Sequence, residues 1–156
     1  MACATTIDIS GLLSGGRQML LVDQRIPIGP FEGVAFPEPA QVHLEMHAQD
    51  KVLEIGGAID VEARGGCNRC LADVVLRMHV DVGERLELSG SDRRDAFDEN
   101  NVLSGDRLDV ADLTTQLVCS AVPMGLLCRE DCRGLCTVCG ENRNAGACSC
   151  EPDNGD

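Results

Sequence analysis

Leu127-Cys128-Arg129-Glu130-Asp131-Cys132-Arg133-Gly134-Leu135-Cys136-Thr137-Val138-Cys139-Gly140-Glu141-Asn142-Arg143-Asn144-Ala145-Gly146-Ala147-Cys148-Ser149-Cys150 holds six of the ten cysteines of a 156-residue chain. Its large apolar side chains are Leu127, Leu135 and Val138, too few to offset the conformational entropy of ordering such a segment. Bound zinc contributes on the order of 10 kcal/mol to the folding of small sulfur-ligated units. The segment is therefore expected to be ordered only with metal.

The spacing is that of metal ligands: Cys128-x3-Cys132, Cys136-x2-Cys139 and Cys148-x-Cys150. Upstream, Cys67-Asn68-Arg69-Cys70 adds a second C-x2-C pair, leaving Cys3 and Cys119 over. A C-x2-C turn aims both sulfurs into one tetrahedral site while backbone N–H groups donate to them. Eight thiolates divide into two closed four-sulfur sites, which predicts two zinc ions per chain with a structural role. In one partition, Gly140 permits a tight knuckle and Cys136, Cys139, Cys148 and Cys150 close locally. Cys67 and Cys70 then meet Cys128 and Cys132. The competing partition joins Cys128, Cys132, Cys136 and Cys139 and leaves Cys67 and Cys70 to Cys148 and Cys150. The first is favoured, because Gly134 can carry the chain from one site to the next.

Outward from the cysteines the pattern changes to period two. Val42, Leu44 and Met46 alternate with His43, Glu45 and His47, Gln49-Asp50-Lys51 reads as a turn, and Val52–Glu62 resumes the alternation at Ile59 and Val61. After Cys70, the residues Val74, Leu76, Met78, Val80 and Val82 share a face opposite Arg77, His79 and Asp81. Thr6–Ile9 and Met19–Ile28 are further expected strands. The acidic, Gly- and Ser-punctuated stretch 89–107 reads as a mobile loop. Asp109 then opens a helix over about 109–122, with Leu113, Leu117, Val118 and Ala121 as its stripe and Pro123 as its stop. The fold class is α+β: a mostly antiparallel sheet or partial barrel with a covering helix and a zinc-stapled C-terminal lobe. Residues 1–126 form the β-rich domain. Residues 127–156 form the cysteine-rich lobe, which shares one site with Cys67 and Cys70.

Composition narrows the function. With 44% apolar and 25% charged residues the chain suits a globular unit, and its net charge of −13 is the wrong sign for blanketing phosphates. Trp and Tyr are absent and there are only three Phe, so an aromatic base-stacking platform is nearly excluded. No apolar run approaches a membrane span, and the N-terminus lacks a basic region followed by an apolar stretch; a cytoplasmic protein is expected. There glutathione would keep the thiols reduced, which weakens a disulfide reading.

Around the cysteines, Arg64, Arg69, Arg77, Arg129, Arg133 and Arg143 face Asp73, Glu130, Asp131 and Glu141. That small positive surplus is more than cancelled once two four-thiolate zinc sites are counted. The arginines are thus expected mainly to offset thiolate charge or pair with carboxylates, with Arg69 and Arg133 as candidate contacts to a phosphate or an acidic partner.

Rival chemistries fit less well. Cys132-x3-Cys136-x2-Cys139 matches the three-cysteine run of radical iron–sulfur enzymes, but those need a large barrel. Cys67 and Cys70 could form a redox dithiol, with Arg69 lowering a thiol pKa, yet no thioredoxin-like βαβ pattern surrounds them. Cys119 reads as a small buried hydrophobe, and His43, His47 and His79 as residues of a solvated face. No phosphate loop, nucleophile elbow or dinucleotide turn occurs. A non-enzyme without a small-molecule substrate is expected.

Cys67-Asn68-Arg69-Cys70-Leu71, Ala121-Val122-Pro123, and Cys128-x3-Cys132-Arg133-Gly134-Leu135-Cys136-x2-Cys139-Gly140 followed by Cys148-x-Cys150 together resemble the signatures of the bacterial YceD-like family. That family is associated with accumulation of the large-subunit (23S) ribosomal RNA. The resemblance covers roughly residues 50 to 150 and implies a ribosome biogenesis factor whose partners are ribosomal RNA or large-subunit ribosomal proteins. Some members have the first two cysteine pairs, one cysteine replaced by His, without the last four, which implies grouping Cys67 and Cys70 with Cys128 and Cys132. Members often continue into a basic helical tail, whereas this sequence reads Glu151-Pro152-Asp153-Asn154-Gly155-Asp156, so no contact made by such a tail is carried over. The alternatives are a zinc-stabilised protein adaptor unrelated to RNA and a thiol redox protein using Cys67 and Cys70.

Overall fold

A computed structural model describes residues 5–88, 102–146 and 148–150. Its centre is a four-stranded antiparallel sheet of order β2-β3-β4-β5: Leu20–Ile26, Ala40–Gln49, Val52–Gly66 and Asp73–Glu87. The alternation drives it. Val42, Leu44 and Met46 of β3, Leu53, Ile55, Ile59, Val61 and Ala63 of β4, and Val82 and Leu86 of β5 turn into one core. Their neighbours His43, Glu45, His47, Arg77, His79 and Asp81 face outward and are exposed. Asp50 and Lys51 (φ 51° and 63°) make a two-residue turn between β3 and β4 whose positive φ values match the right-handed strand twist.

Gly57 faces the β3 backbone directly. Its φ is 137°, and a Cβ there would sit 2.0 Å from the His43 carbonyl oxygen, so no side chain fits.

The second sheet is small. β1 (Thr6–Asp8) pairs with β7 (Arg107–Asp109), and β7 with β6 (Leu103–Ser104), all antiparallel. A single-turn helix, α1 (Ser10–Leu13), follows β1 and buries Leu12. This sheet shortens the expected loop 89–107. Val102 is only 2% exposed, its carbonyl accepts from the Asp109 N–H at 2.8 Å, and Leu103 pairs with Leu108. An acidic average over the stretch conceals two apolar residues, Val102 and Leu103, that the core takes up. Residues 89–101 of that expected loop, and Cys3, lie outside the described residues.

The helix falls where its caps dictate. α2 spans Val110–Ala121; the Asp109 carboxylate accepts from the Asp112 N–H at 3.0 Å, and Val122 leaves the helix in an extended conformation ahead of Pro123. Val110, Leu113, Thr114 and Val118 are buried as α2 packs against β5, β4 and β1. The Thr114 hydroxyl satisfies itself on the Val110 carbonyl at 2.6 Å. Cys119 is half-buried, and that burial pushes its thiol pKa up. The expected antiparallel architecture with a helix is borne out, divided into two sheets. Among the described residues no helix is long and apolar enough to cross a membrane.

Candidate metal centres

β4 and β5 stay paired from Val52 and Glu87 to Gly66 and Asp73, so the Cys67–Ala72 connection is the closed end of a long hairpin. The Cys67 N–H donates to the Ala72 carbonyl at 2.8 Å, and the Leu71 N–H to the Cys67 carbonyl at 2.9 Å. The second C-x2-C repeats this pattern at the same offsets. The Cys136 N–H donates to the Glu141 carbonyl at 2.7 Å, and the Gly140 N–H to the Cys136 carbonyl at 2.9 Å. In both knuckles the residue after the second cysteine has positive φ: 62° at Leu71 and 76° at Gly140. Glycine adopts that conformation at little cost; leucine does not.

After α2 the chain runs over the hairpin end. Leu126 packs into the sheet core, and its carbonyl accepts from the Asn68 N–H at 2.8 Å. Cys128 and Cys132 thereby reach the first knuckle. Cys67 Sγ lies 3.7 Å from Cys132 Sγ, and Cys70 Sγ 3.6 Å from Cys128 Sγ. Cys136, Cys139, Cys148 and Cys150 form the other group, and within each group all four sulfurs lie within 4.8 Å of one another. The competing partition is not the one the structure adopts. Thiolates at about 2.3 Å from a tetrahedral ion stand about 3.8 Å apart, whereas a disulfide needs about 2.05 Å. The sulfurs thus have the spacing of a metal site, and each cluster could hold one ion.

The electrostatics favour a cation. The Cys70 backbone N–H is the largest influence holding the Cys67 thiol down to about 6, against an opposing effect of burial. In the second cluster the Cys139 and Val138 backbone N–H groups hold Cys136 down to about 6. Cys128, hydrogen-bonded to Cys70, is pushed up to about 12, and Cys150, against Cys139, to about 12. Each cluster thus combines sulfurs whose pKa is held down, Cys67 and Cys132 in the first and Cys136 in the second, with one pushed well up. A divalent ion would displace the remaining thiol protons and offset two of the four thiolate charges.

Most of the arginines near the cysteines are engaged locally. Arg69 donates through Nη1 to the Cys132 carbonyl at 3.1 Å and the Glu130 carbonyl at 3.4 Å, stapling the hairpin end to the incoming chain. Arg129 binds Asn144 at 2.7 Å and Asp131 at 3.4 Å, Arg64 binds Glu62 at 2.7 Å, and Arg143 approaches Cys136 Sγ at 3.9 Å. The guanidinium of Arg133 has no partner among the described residues. Gly134, at φ 71°, turns the chain between the clusters; a Cβ there would press on the Arg69 carbonyl oxygen at 3.0 Å. Leu135 N–H also bonds that carbonyl at 3.1 Å.

One residue that sequence reasoning missed is Asn144. Its Nδ2 donates to Cys132 Sγ at 3.2 Å, although it lies in the loop that closes the other cluster. The run Asn142-Arg143-Asn144 signals a turn, and nothing in its spacing distinguishes a turn residue from one bonded to a distant sulfur. The histidines do not join a cluster: His43 faces Asp23, His47 faces Glu45 and His79 faces Asp60.

A small antiparallel protein drawn together at one end by two four-cysteine clusters is the class that fold and site define. A family model for large ribosomal RNA subunit accumulation protein YceD matches residues 55–156, well over half of the sequence, and the chain belongs to that family. The match begins inside β4 and includes both clusters. Uncharacterized proteins of Mycobacterium bovis and of two strains of Mycobacterium tuberculosis are each 26% identical over 113 residues, covering 70% of this chain and 55% of theirs. The chain thus spans about half the length of the curated relatives it matches. No solved structure matches it.

Proposed function

We propose that this chain is a non-enzymatic ribosome-assembly factor that supports accumulation of large-subunit (23S) ribosomal RNA, with one structural zinc ion in each four-cysteine cluster. The single observation that carries the metal reading is the sulfur spacing of about one tetrahedral edge in the Cys67, Cys70, Cys128 and Cys132 cluster. Family membership supports the ribosomal role. Four protein sulfurs per ion leave no open position for substrate, which favours binding over catalysis. An open cleft of about 540 Å³ on the outer sheet face is no counter-argument. Its His47 and Glu45 pair at 2.7 Å and its Arg85 and Glu54 at 3.3 Å.

The favoured partner is a basic large-subunit ribosomal protein. The chain carries a net charge of −13, and Arg69 is engaged within the lobe, so direct phosphate binding has little cationic surface to draw on. The site of action is the cytoplasm, where reduced thiols can hold zinc.

Two measurements test this. Elemental analysis of freshly purified, reduced protein should find two zinc ions per chain; a metal-free chain with an oxidised Cys67–Cys70 pair would mean a redox protein instead. Crosslinking in growing cells should recover large-subunit ribosomal proteins ahead of ribosomal RNA. Recovery of RNA alone would reverse the choice of partner, and recovery of neither would remove the ribosomal role.

A further inference from the structure

We propose that Asn144 couples the two four-cysteine centres, so that metal held by Cys136, Cys139, Cys148 and Cys150 tightens the hold of Cys67, Cys70, Cys128 and Cys132 on theirs. This rests on the reading that both clusters bind metal.

The orientation of the Asn144 amide follows from its partners. Oδ1 accepts from the Arg129 guanidinium at 2.7 Å and from the Arg133 backbone N–H at 2.9 Å. With the carbonyl oxygen so engaged, the NH2 group is the end that faces Cys132 Sγ at 3.2 Å. An N–H donated to a metal-bound thiolate stabilises its charge and fixes its direction, and such outer partners govern metal affinity.

Asn144 is held there by the other cluster's loop. Its own N–H bonds the Asn142 side chain at 2.9 Å, and the Arg143 N–H bonds the Gly134 carbonyl at 2.9 Å. Arg143 turns its guanidinium toward Cys136 Sγ at 3.9 Å. Consecutive residues thus serve opposite clusters. Residues 140–147 include no large apolar side chain, so hydrophobic packing cannot fix this loop. Hydrogen bonds seat it, and closure at Cys148 and Cys150 would hold it shut, so the Asn144–Cys132 bond would weaken when that closure is lost. Linkage makes the effect reciprocal: metal at either centre favours metal at the other.

The test uses the full chain reconstituted with cadmium, whose NMR signal gives one resonance per four-thiolate centre. The double variants Cys67→Ser/Cys70→Ser and Cys148→Ser/Cys150→Ser assign the two resonances. Titration with a chelator should remove both signals of the unaltered chain together. In Asn144→Ala and in Asn144→Asp, which keeps both acceptor contacts, the Cys67 centre should empty at about ten- to a hundredfold lower chelator concentration. Adding Cys148→Ser/Cys150→Ser to Asn144→Ala should then weaken the Cys67 centre little further. Retention within about a factor of two in both Asn144 variants overturns the coupling. So does an equal loss on removing Cys148 and Cys150 whether or not Asn144 is present. An unaltered chain that binds no metal overturns the metal reading, and the coupling falls with it; two tightly held ions and an indifferent Asn144 overturn the coupling alone.

Discussion

The sheet and the cysteine lobe solve the same problem with different materials. In the sheet, Met46, Leu53, Ile55 and Ile59 are almost wholly withdrawn from water, and apolar area supplies the stabilisation. In the lobe, Val138 and Leu127 are exposed and Leu135 is only half-buried. Burial there is confined largely to sulfur: Cys67, Cys70, Cys132 and Cys136. The difference teaches that one chain can hold a region in place without a hydrophobic core of its own, provided that region carries a converging set of ligands.

Removing metal from the two proposed sites should break that comparison open. A strong chelator is expected to abolish amide-exchange protection across residues 128–150 while β3, β4 and β5 stay protected. Equal loss in both regions would mean that the lobe and sheet form one cooperative unit. The converse experiment cuts into the sheet. Ile59→Ala deletes methylenes from a site with no exposure and should cost about 2–5 kcal/mol in urea unfolding, with zinc content unchanged.

The two knuckles allow a finer contrast. Gly140 has φ 76° and no atom within 4 Å of a Cβ built there, so Gly140→Ala tests backbone strain alone and should cost about 1 kcal/mol. Leu71→Gly should move the other way by less than about 1 kcal/mol, since part of the relief is lost to the unfolded chain's added freedom. Paired urea denaturation curves would read both signs.

The smallest effect belongs to the outer face of the sheet. The Asp60 carboxylate, 2.6 Å from His79 Nδ1, raises the imidazole pKa above its usual 6.5. A raised pKa means the pair contributes fully below 6.5 and fades as pH rises through the folded value. An NMR titration should find His79 above 6.5 and nearer to it in Asp60→Asn, with metal binding unaffected.

What could be read in the sequence follows from how local its cause is. β3, β4 and β5 are written in alternating residues, and α2 in a capping aspartate and a following proline. The grouping of cysteines was readable because eight residues return the chain from Cys139 to Cys148. The pairing of β1 with β7 was not, since it joins Thr6 to Asp109 through backbone groups that every residue carries. Gly57 gave no sign of its contact with the β3 backbone. Arg69 looked available to a partner because sequence does not say where a long side chain points; it is turned onto the Cys132 and Glu130 carbonyls.

The contact between Cys67 and Cys132 spans 65 positions, and the ring it closes contains β5, β6, β7 and α2. Bringing two ends together over such a length is entropically steep unless intervening structure already holds them near. We expect strands and helix to assemble first and the clasp to shut afterwards, so that an ion captured there would certify a finished molecule instead of seeding one.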